Sequence, residues 1–283
     1  MNLVLISTSD AGSNRLDVLD RMVRSVERAN LQPHVSVRVL LLLQRCPEYL
    51  YWTLSQKLPS FVQAIPIADV LSLSAARNRL LSHAASNNLI DAETVVGFPD
   101  DDCWYPRDTL DFITRSFAQW PALDLWFCDY ASAPAAAAPA EAPPRTAAPR
   151  DVIRNASSNT MFVRGRILKS GMTFDETLGV GTANGGGEDT EFALRAYLAS
   201  HLSVYVPAPV IGHRDKTPQL RPKYYRGGLI ALARYAPREP RIGFELIRKV
   251  AVGLWLVGTR QLAIAAFSKA IAAAFRSRRP AAA

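Results

Sequence analysis

The sequence predicts an α/β fold in which a mainly parallel sheet is flanked by helices and followed by a helical C-terminal appendage. Short apolar runs of strand length alternate with segments whose apolar residues recur at helical spacing. Such alternation predicts parallel strands joined by right-handed helical crossovers. The predicted strands are residues 3–7, 35–43, 62–67, 94–98, 125–128 and 202–207. The predicted helices are residues 14–30, 74–86, 110–117 and 188–200.

Composition agrees with a folded cytoplasmic protein. The chain has 283 residues, of which 49% are hydrophobic and 20% charged, so it can bury a sizeable core and is not disordered overall. The cysteines, Cys46, Cys103 and Cys128, are odd in number and lack metal-ligand spacing, which favours a reducing compartment. The apolar run at residues 3–6 lacks the basic flank and cleavage site of a signal peptide, and therefore predicts a buried strand.

One segment interrupts this pattern. Residues 131–150 are almost wholly alanine and proline, with too little to bury to fold alone. We predict that they form a mobile loop inserted into one domain of residues 1–215. Residues 216–283 then form a separate basic, apolar and helical segment.

An acidic triplet directly follows the predicted strand at residues 94–98. In an extended chain Asp100 and Asp102 project to the same side, and Asp101 to the other. Carboxylate oxygens suit Mg²⁺ or Mn²⁺, which leaves coordination positions for diphosphate oxygens. The alternative is a set of acids placed to favour the dipole of the following helix. The chain contains no G-x-x-x-x-G-K-[ST] segment, which argues against a P-loop ATPase.

A second acidic pair follows a run of three glycines at residues 185–187. Glu188 and Asp189 stand at the start of a predicted helix, where backbone N–H groups favour negative charge. A carboxylate on a mobile, ligand-accessible loop suits a general base for a hydroxyl acceptor. The alternative is a flexible loop capped by acids.

These motifs belong to an ordered series over residues 3 to about 215. Its members are the strand at residues 3–8, S-A-A-R-N at 74–78, D-D-D at 100–102, F-D-E-T-L-G at 174–179, G-E-D-T-E-F at 187–192 and His213. The series resembles the family-2 glycosyltransferases, which share the GT-A nucleotide-diphospho-sugar transferase fold.

The resemblance implies a role for each matching residue. Arg77 would contact the nucleotide base or phosphate, and Asp100 the ribose or base. Asp102 would bind the metal that bridges the diphosphate. Asp189 would deprotonate the acceptor, with Glu188 helping to orient it.

His213 resembles the late histidine that completes the metal site in several such enzymes. The family commonly carries Pro-x-Tyr-Asn after its first strand and an aspartate after its second. This chain has Ser-Thr-Ser-Asp at residues 7–10 and Gln44 at the second position. We therefore assign Thr8, Asp10, Gln44 and Asp101 to the nucleotide-sugar site as well.

The function implied by the resemblance is metal-dependent, inverting glycosyl transfer. The sugar would pass from a nucleotide-diphosphate donor to a hydroxyl of a glycan or lipid-linked glycan, with Mn²⁺ or Mg²⁺, in cell-surface or exopolysaccharide biosynthesis. Two alternatives remain. A nucleotide-sugar-binding pseudoenzyme would be expected to lose Asp102 or Asp189, and both are present. The other alternative is a membrane-surface scaffold with an α/β core.

The C-terminal segment predicts contact with a membrane surface. Residues 242–279 are densely apolar with basic residues among them, yet the longest uncharged stretch, 250–259, is far shorter than the ~20 residues of a spanning helix. A basic amphipathic helix or hairpin on an anionic membrane fits, as does a helix packed on the domain or on a dimer partner. The aromatic-interleaved pattern of single-strand binders is missing, which argues against nucleic acid. We thus predict a cytoplasmic protein, peripheral at the inner face of the plasma membrane.

Overall fold

The structure is a computed structural model, and it describes residues 1–13, 15–29, 31–135, 143–215 and 218–277. Within these residues the strands are β1 (Asn2–Asp10), β2 (Ser36–Gln44), β3 (Val62–Pro66), β4 (Val95–Gly97), β5 (Leu123–Ala131), β6 (Arg145–Thr146), β7 (Met161–Arg164) and β8 (Leu202–Gly212). The helices are α1 (Leu16–Glu27), α2 (Glu48–Ser55), α3 (Leu73–Ser86), α4 (Thr109–Gln119), α5 (Pro149–Asn155), α6 (Gly165–Lys169), α7 (Glu188–Ala199), α8 (Arg221–Tyr235), α9 (Pro240–Gly258) and α10 (Ile264–Ser277).

The strands form one sheet in the order β3-β2-β1-β4-β7-β5-β8-β6. The pairs β2–β3, β1–β2, β1–β4 and β5–β8 are parallel, which confirms the predicted mainly parallel sheet. Strand β7 runs antiparallel to both β4 and β5, and β6 runs antiparallel to β8. Because β7 is reversed, the residues that precede it lie at the carboxyl edge of the parallel strands.

The sheet is covered on both faces. Val4 and Ile6 of β1 belong to one buried cluster, whereas Leu3 and Leu5 belong to another, because successive strand residues point to opposite faces. The continuous apolar runs of β1 and β2 are therefore strands buried on both sides, as their sequence predicts.

Two predictions need correction at their ends. The strand predicted at 202–207 continues to Gly212. The range predicted as a mobile loop, 131–150, contains β6, which pairs with β8, and the first residues of α5. The main chain of β6 is ordered by its hydrogen bonds with β8. These bonds do not depend on side chains, so the alanine-rich composition does not predict them. Residues 136–142 of that range lie outside the described residues.

The three C-terminal helices pack on the domain through small residues. Gly227 of α8 has no room for a side chain, since a Cβ there would lie 1.6 Å from the carbonyl oxygen of Gly186. A Cβ on Gly253 of α9 would lie 2.1 Å from the hydroxyl of Tyr225. The packed alternative is therefore correct for the inner side of these helices. None of the helices in the described ranges is both long and apolar enough to cross a membrane.

Candidate functional site

Strand ends bring the predicted polar residues to one edge of the sheet. The acidic triplet follows β4, and His213 follows β8. Trp104 and Gly212 exchange two main-chain hydrogen bonds, of 2.9 and 2.8 Å, which tie the two segments together. Gly212 is required here, because a Cβ would lie 2.1 Å from the Trp104 ring. This bridge places His213 beside residues far away in the sequence.

Asp100, Asp102 and His213 form a cluster suited to a metal ion, with one ligand atom of each within 4.8 Å of the others. Nε2 of His213 lies 3.1 Å from Oδ1 of Asp102 and 3.9 Å from Oδ2 of Asp100. Both Nε2 and the Asp102 Oδ1 are buried without a hydrogen-bond partner. Buried polar atoms without partners are costly unless a ligand satisfies them.

The orientation of His213 suits a metal ligand. Its Nδ1 lies 2.9 Å from the carbonyl oxygen of Arg214, which can only accept a hydrogen bond. Nδ1 therefore carries a proton, and Nε2 faces Asp102. Burial works to lower the pKa of His213, but contacts with Asp102 and Asp100 outweigh it and raise that pKa, so a bound metal ion would take the place of the proton on Nε2. An N–H anchored on a carbonyl is the usual support of a metal-binding histidine. The residues present thus fit a divalent cation, and Asp100 joins the pair predicted from sequence.

Two guanidinium groups border this cluster. Arg15 lies 3.3 Å from Oδ2 of Asp102 and also pairs with Asp101, and Arg214 lies 3.3 Å from the same Oδ2. Burial works to raise the pKa of Asp102, but contacts with His213, Arg214 and Arg15 outweigh it and hold that pKa below its usual value. Asp102 is thereby kept ionised, as a metal ligand must be.

Arg77 links the metal cluster to the second acidic pair. Its side chain is 1% exposed and donates to Oδ1 of Asp100 at 2.9 Å and to Oδ1 of Asp189 at 3.1 Å. The other oxygen of Asp189 accepts from the backbone N–H and the hydroxyl of Ser158, at 3.0 and 3.1 Å. In the structure Arg77 holds two carboxylates in position. The nucleotide contact that the resemblance implies for Arg77 remains a prediction.

The glycine run is packed rather than loose. Gly187 precedes α7 with a φ of +91°, and a Cβ there would lie 2.3 Å from the carbonyl carbon of Gly227. Asp189 stands in the first turn of α7, at the helix start that the sequence predicts. The close packing of Gly187 corrects the part of the interpretation that made this loop mobile. Its neighbour Glu188 is buried, and burial together with the charge of Asp189 raises the pKa of Glu188 from 4.5 to about 7.

This pKa predicts a pH-dependent stability. A buried carboxyl with a raised pKa stabilises the fold below its unfolded pKa of 4.5, and that contribution is lost as pH rises through about 7. Glu188→Gln stays neutral throughout. The free energy of unfolding of the wild type is therefore expected to fall relative to Glu188→Gln between these pH values, by about 2–3 kcal/mol. Urea unfolding of both proteins measures it, and a constant difference across pH would contradict the burial of a neutral Glu188.

The remaining predicted residues lie apart from the cluster. Gln44 donates to the hydroxyl of Thr8 at 2.9 Å and accepts from the Leu71 N–H at 2.7 Å. Asp10 pairs with Arg45. In the parts of the chain that are described, no hydrogen bond or ion pair joins Thr8, Asp10 or Gln44 to the metal cluster. Their assignment to the nucleotide remains a prediction.

Some site residues escape sequence reasoning. Ser158 and Asn159 precede β7, and Asn159 accepts from the backbone N–H of Asp100 at 2.8 Å. Ser9 donates to Asp101 at 2.6 Å, beside Arg15. The only signal is a polar S-S-N-T run before an apolar strand at residues 157–160. This run can be assigned to the site only when β7 is known to be antiparallel, because its preceding residues then lie at the carboxyl edge of the parallel strands.

A single cavity of about 340 Å³ joins these groups. Asp100, His213, Glu188 and Asp189 all line it. The two predicted functions, metal binding and proton transfer, thus face one space beyond the carboxyl ends of the strands, where ligands bind in open α/β sheets.

Known structures resemble this fold, although no protein-family model and no curated protein sequence matches the chain. S. aureus TarS 1–349 in complex with UDP-GlcNAc matches with a TM-score of 0.60 and 13% identity, over 99% of this chain and 90% of that one. The mannosyltransferase PcManGT from Pyrobaculum calidifontis, in complex with GDP-Man and Mn²⁺, matches with a TM-score of 0.59 and 15% identity, over 97% and 75%.

The fold is a glycosyltransferase fold of the GT-A type. TarS 1–349 in complex with UDP also matches, at a TM-score of 0.58 and 15% identity, over 82% of this chain. The chain spans 65% of that TarS structure and 43% of another. The predicted fold class is thereby confirmed, including the helices that follow the domain.

Proposed function

We propose that the chain is a glycosyltransferase that moves a sugar from a nucleotide-diphosphate donor to an acceptor hydroxyl. One observation carries this proposal: Asp189 lines the same cavity as Asp100 and His213, two members of the cluster that Asp102 completes. A cation site beside a carboxylate held at a helix start provides both functions that such a transfer needs. The likeness to proteins seen with UDP, UDP-GlcNAc and GDP-Man supports a nucleotide-sugar donor.

Each group has a distinct task in the proposed reaction. Arg77 and Ser158 orient Asp189, which accepts the proton of the acceptor hydroxyl. As this proton leaves, the hydroxyl oxygen of the acceptor bonds to the anomeric carbon of the donor sugar. The bond from that carbon to the diphosphate breaks in the same displacement, so the configuration inverts. Arg15 and Arg214 offset the charge of the departing nucleoside diphosphate. Mn²⁺ or Mg²⁺, held by Asp102 and His213 with Asp100, would add electrophilic stabilisation of that charge.

A thermal-shift screen against a panel of nucleotide sugars, with and without Mn²⁺, tests the donor class. A ligand that binds only the folded state raises the free energy of unfolding, by about 2.7 kcal/mol at a concentration a hundredfold above its Kd, and so raises the melting temperature. We expect at least one UDP- or GDP-sugar to raise the melting temperature in the presence of Mn²⁺ and not in its absence. Stabilisation by none of them in the folded wild type would refute a nucleotide-sugar site.

The outer side of α9 extends the proposal to a membrane surface. Phe244, Ile247 and Trp255 are 70%, 68% and 54% exposed, and their spacing places them on one side of the helix with Leu254. Glu239 and Glu245 are the only acids in residues 216–283, among many lysines and arginines. An apolar face with a basic surround suits an anionic bilayer, so the acceptor is a glycan or lipid-linked glycan of the cell surface.

Vesicle sedimentation tests this surface. Phe244→Ser combined with Trp255→Ser removes two exposed rings, and we expect it to weaken binding to vesicles containing phosphatidylglycerol by about tenfold or more. Tyr49→Ser combined with Trp52→Ser is the matched control, since these aromatic residues of α2 are 75% and 59% exposed elsewhere. Equal loss in both variants, or no binding by the wild type, would contradict the membrane contact.

A further inference from the structure

A second cavity, of about 540 Å³, lies between α8 and α9 and is strongly cationic. Arg154, Arg221, Arg248 and Lys249 line it together with Tyr224. Among the described residues that line it, none is acidic. A space of this size, bordered by four basic side chains, favours an anionic occupant.

Lys249 is the most informative of these groups. Its ammonium lies 5.6 Å from the centre of the Tyr225 ring. Burial lowers its pKa below the usual value, and the charges of Arg248 and Arg221 add to this effect. Arg248 pairs with Glu245 at 2.6 Å, but no carboxylate within the described ranges pairs with Lys249. A desolvated ammonium without a counter-charge is costly, and a bound anion would offset that cost.

The cationic cavity adjoins the candidate site. Tyr130, Arg154 and Tyr224 line both cavities. The ring of Tyr130 also packs edge-on against His213, with ring centres 5.0 Å apart. A molecule that reaches Asp189 through the first cavity can therefore extend into the second. Arg15 and Arg214 border the metal cluster and can bind the donor diphosphate there. The basic residues of the second cavity are therefore not needed for the donor and can bind a different anionic group.

We propose that the cavity lined by Arg154, Arg221, Arg248 and Lys249 binds a phosphate group carried by the acceptor. The inference rests on the proposed function, because it needs an acceptor that enters the same site. Guanidinium and ammonium groups are the side chains that bind phosphate, and tyrosine hydroxyls can donate to its oxygens. The phosphate can belong to a phosphorylated glycan or to the headgroup of a lipid-linked one.

Calorimetric titration with inorganic phosphate, in EDTA to exclude metal-bound phosphate, tests the cavity directly. Lys249→Met removes the charge and keeps most of the side-chain stem, and we expect it to weaken phosphate binding by about tenfold or more. Arg221→Ala, at an exposed position that tolerates truncation, is expected to act in the same direction. Lys269→Met is the matched control, because Lys269 is exposed on α10 away from the cavity.

A stability measurement provides a second readout. Without phosphate, Lys249→Met is expected to raise the melting temperature, since it removes an unpaired, partly buried charge, whereas Lys269→Met is expected to leave it unchanged. Phosphate binding that is lost equally in both Lys variants, or unaffected in Lys249→Met, would overturn the proposal. Retained Mn²⁺-dependent binding of UDP or GDP by Lys249→Met separates such a failure from a failure of the donor site.

Competition distinguishes the two sources of phosphate. Glucose 1-phosphate serves as the soluble phosphorylated sugar, and vesicles of phosphatidylcholine with phosphatidic acid serve as the lipid surface. Displacement of inorganic phosphate by the sugar phosphate alone indicates a phosphorylated glycan. Displacement by the vesicles alone indicates a lipid phosphate.

Discussion

Asp189→Asn is expected to retain donor binding and to lower kcat for sugar transfer by about 10²–10⁴-fold. The asparagine has the same shape, and its carbonyl oxygen can still accept from Arg77 or Ser158, but it cannot take the acceptor proton. The loss should therefore fall on kcat, while the Kd for the donor stays close to that of the wild type. Initial rates at saturating donor, together with a donor titration, separate the two quantities.

Glu188→Gln is the informative comparison for this base. The pKa of Glu188, about 7, would also suit a general base, whereas geometry favours Asp189, which Arg77 and Ser158 hold in place. If Asp189→Asn transfers sugar at the wild-type rate and Glu188→Gln does not, the base is Glu188. In that case the assignment of Asp189 is wrong, although the metal cluster is unaffected.

Asp102→Ala is expected to abolish the Mn²⁺-dependent part of nucleoside diphosphate binding. The substitution removes the carboxylate that faces Nε2 of His213 and that Arg15 and Arg214 also contact. Without Asp102 only Asp100 and His213 remain to bind the ion. We expect nucleoside diphosphate binding in the presence of Mn²⁺ to weaken by about 100-fold. Titration of UDP or GDP at fixed Mn²⁺, repeated in EDTA, measures the difference.

The control for this substitution is Asp20→Ala, which removes an exposed carboxylate of α1 that pairs only with Arg24 among the described residues. It should leave Mn²⁺-dependent binding unchanged. His213→Ala should resemble Asp102→Ala, because the two unpartnered atoms face each other. A variant without Asp102 that binds nucleoside diphosphate with undiminished Mn²⁺ dependence would place the metal elsewhere.

Local pattern predicts most of the sheet but not its reversed strands. The apolar runs of β1, β2 and β4 are buried on both faces, and this burial is what their composition encodes. The direction of β7 depends on where the chain returns after β5, through a segment whose composition carries no strand signal. Ser158 and Asn159 therefore could not be assigned to the site from sequence.

The candidate site also contains residues that local pattern predicts and residues that it does not. The alternation of an extended chain predicts that Asp100 and Asp102 share a side. They do meet in the metal cluster, but through a turn in which the Cys103 N–H donates to the Asp100 carbonyl oxygen. His213 lies beside them only because the Trp104–Gly212 bridge joins two segments far apart in sequence, so family resemblance, and not spacing, pointed to it. The positioning role of Arg77 likewise requires that α3 bring its side chain beside the first turn of α7, which no local pattern encodes.

The release of nucleoside diphosphate is the measurement that bears most directly on glycosyl transfer. The nucleotide sugar that stabilises the protein most is incubated with the wild type, with Mn²⁺ or with EDTA, and the nucleoside diphosphate formed is quantified. Release that requires Mn²⁺ and is lost in both Asp102→Ala and Asp189→Asn is the predicted result. Binding of the donor without any release, under conditions where the protein is folded and an acceptor glycan is present, would contradict it.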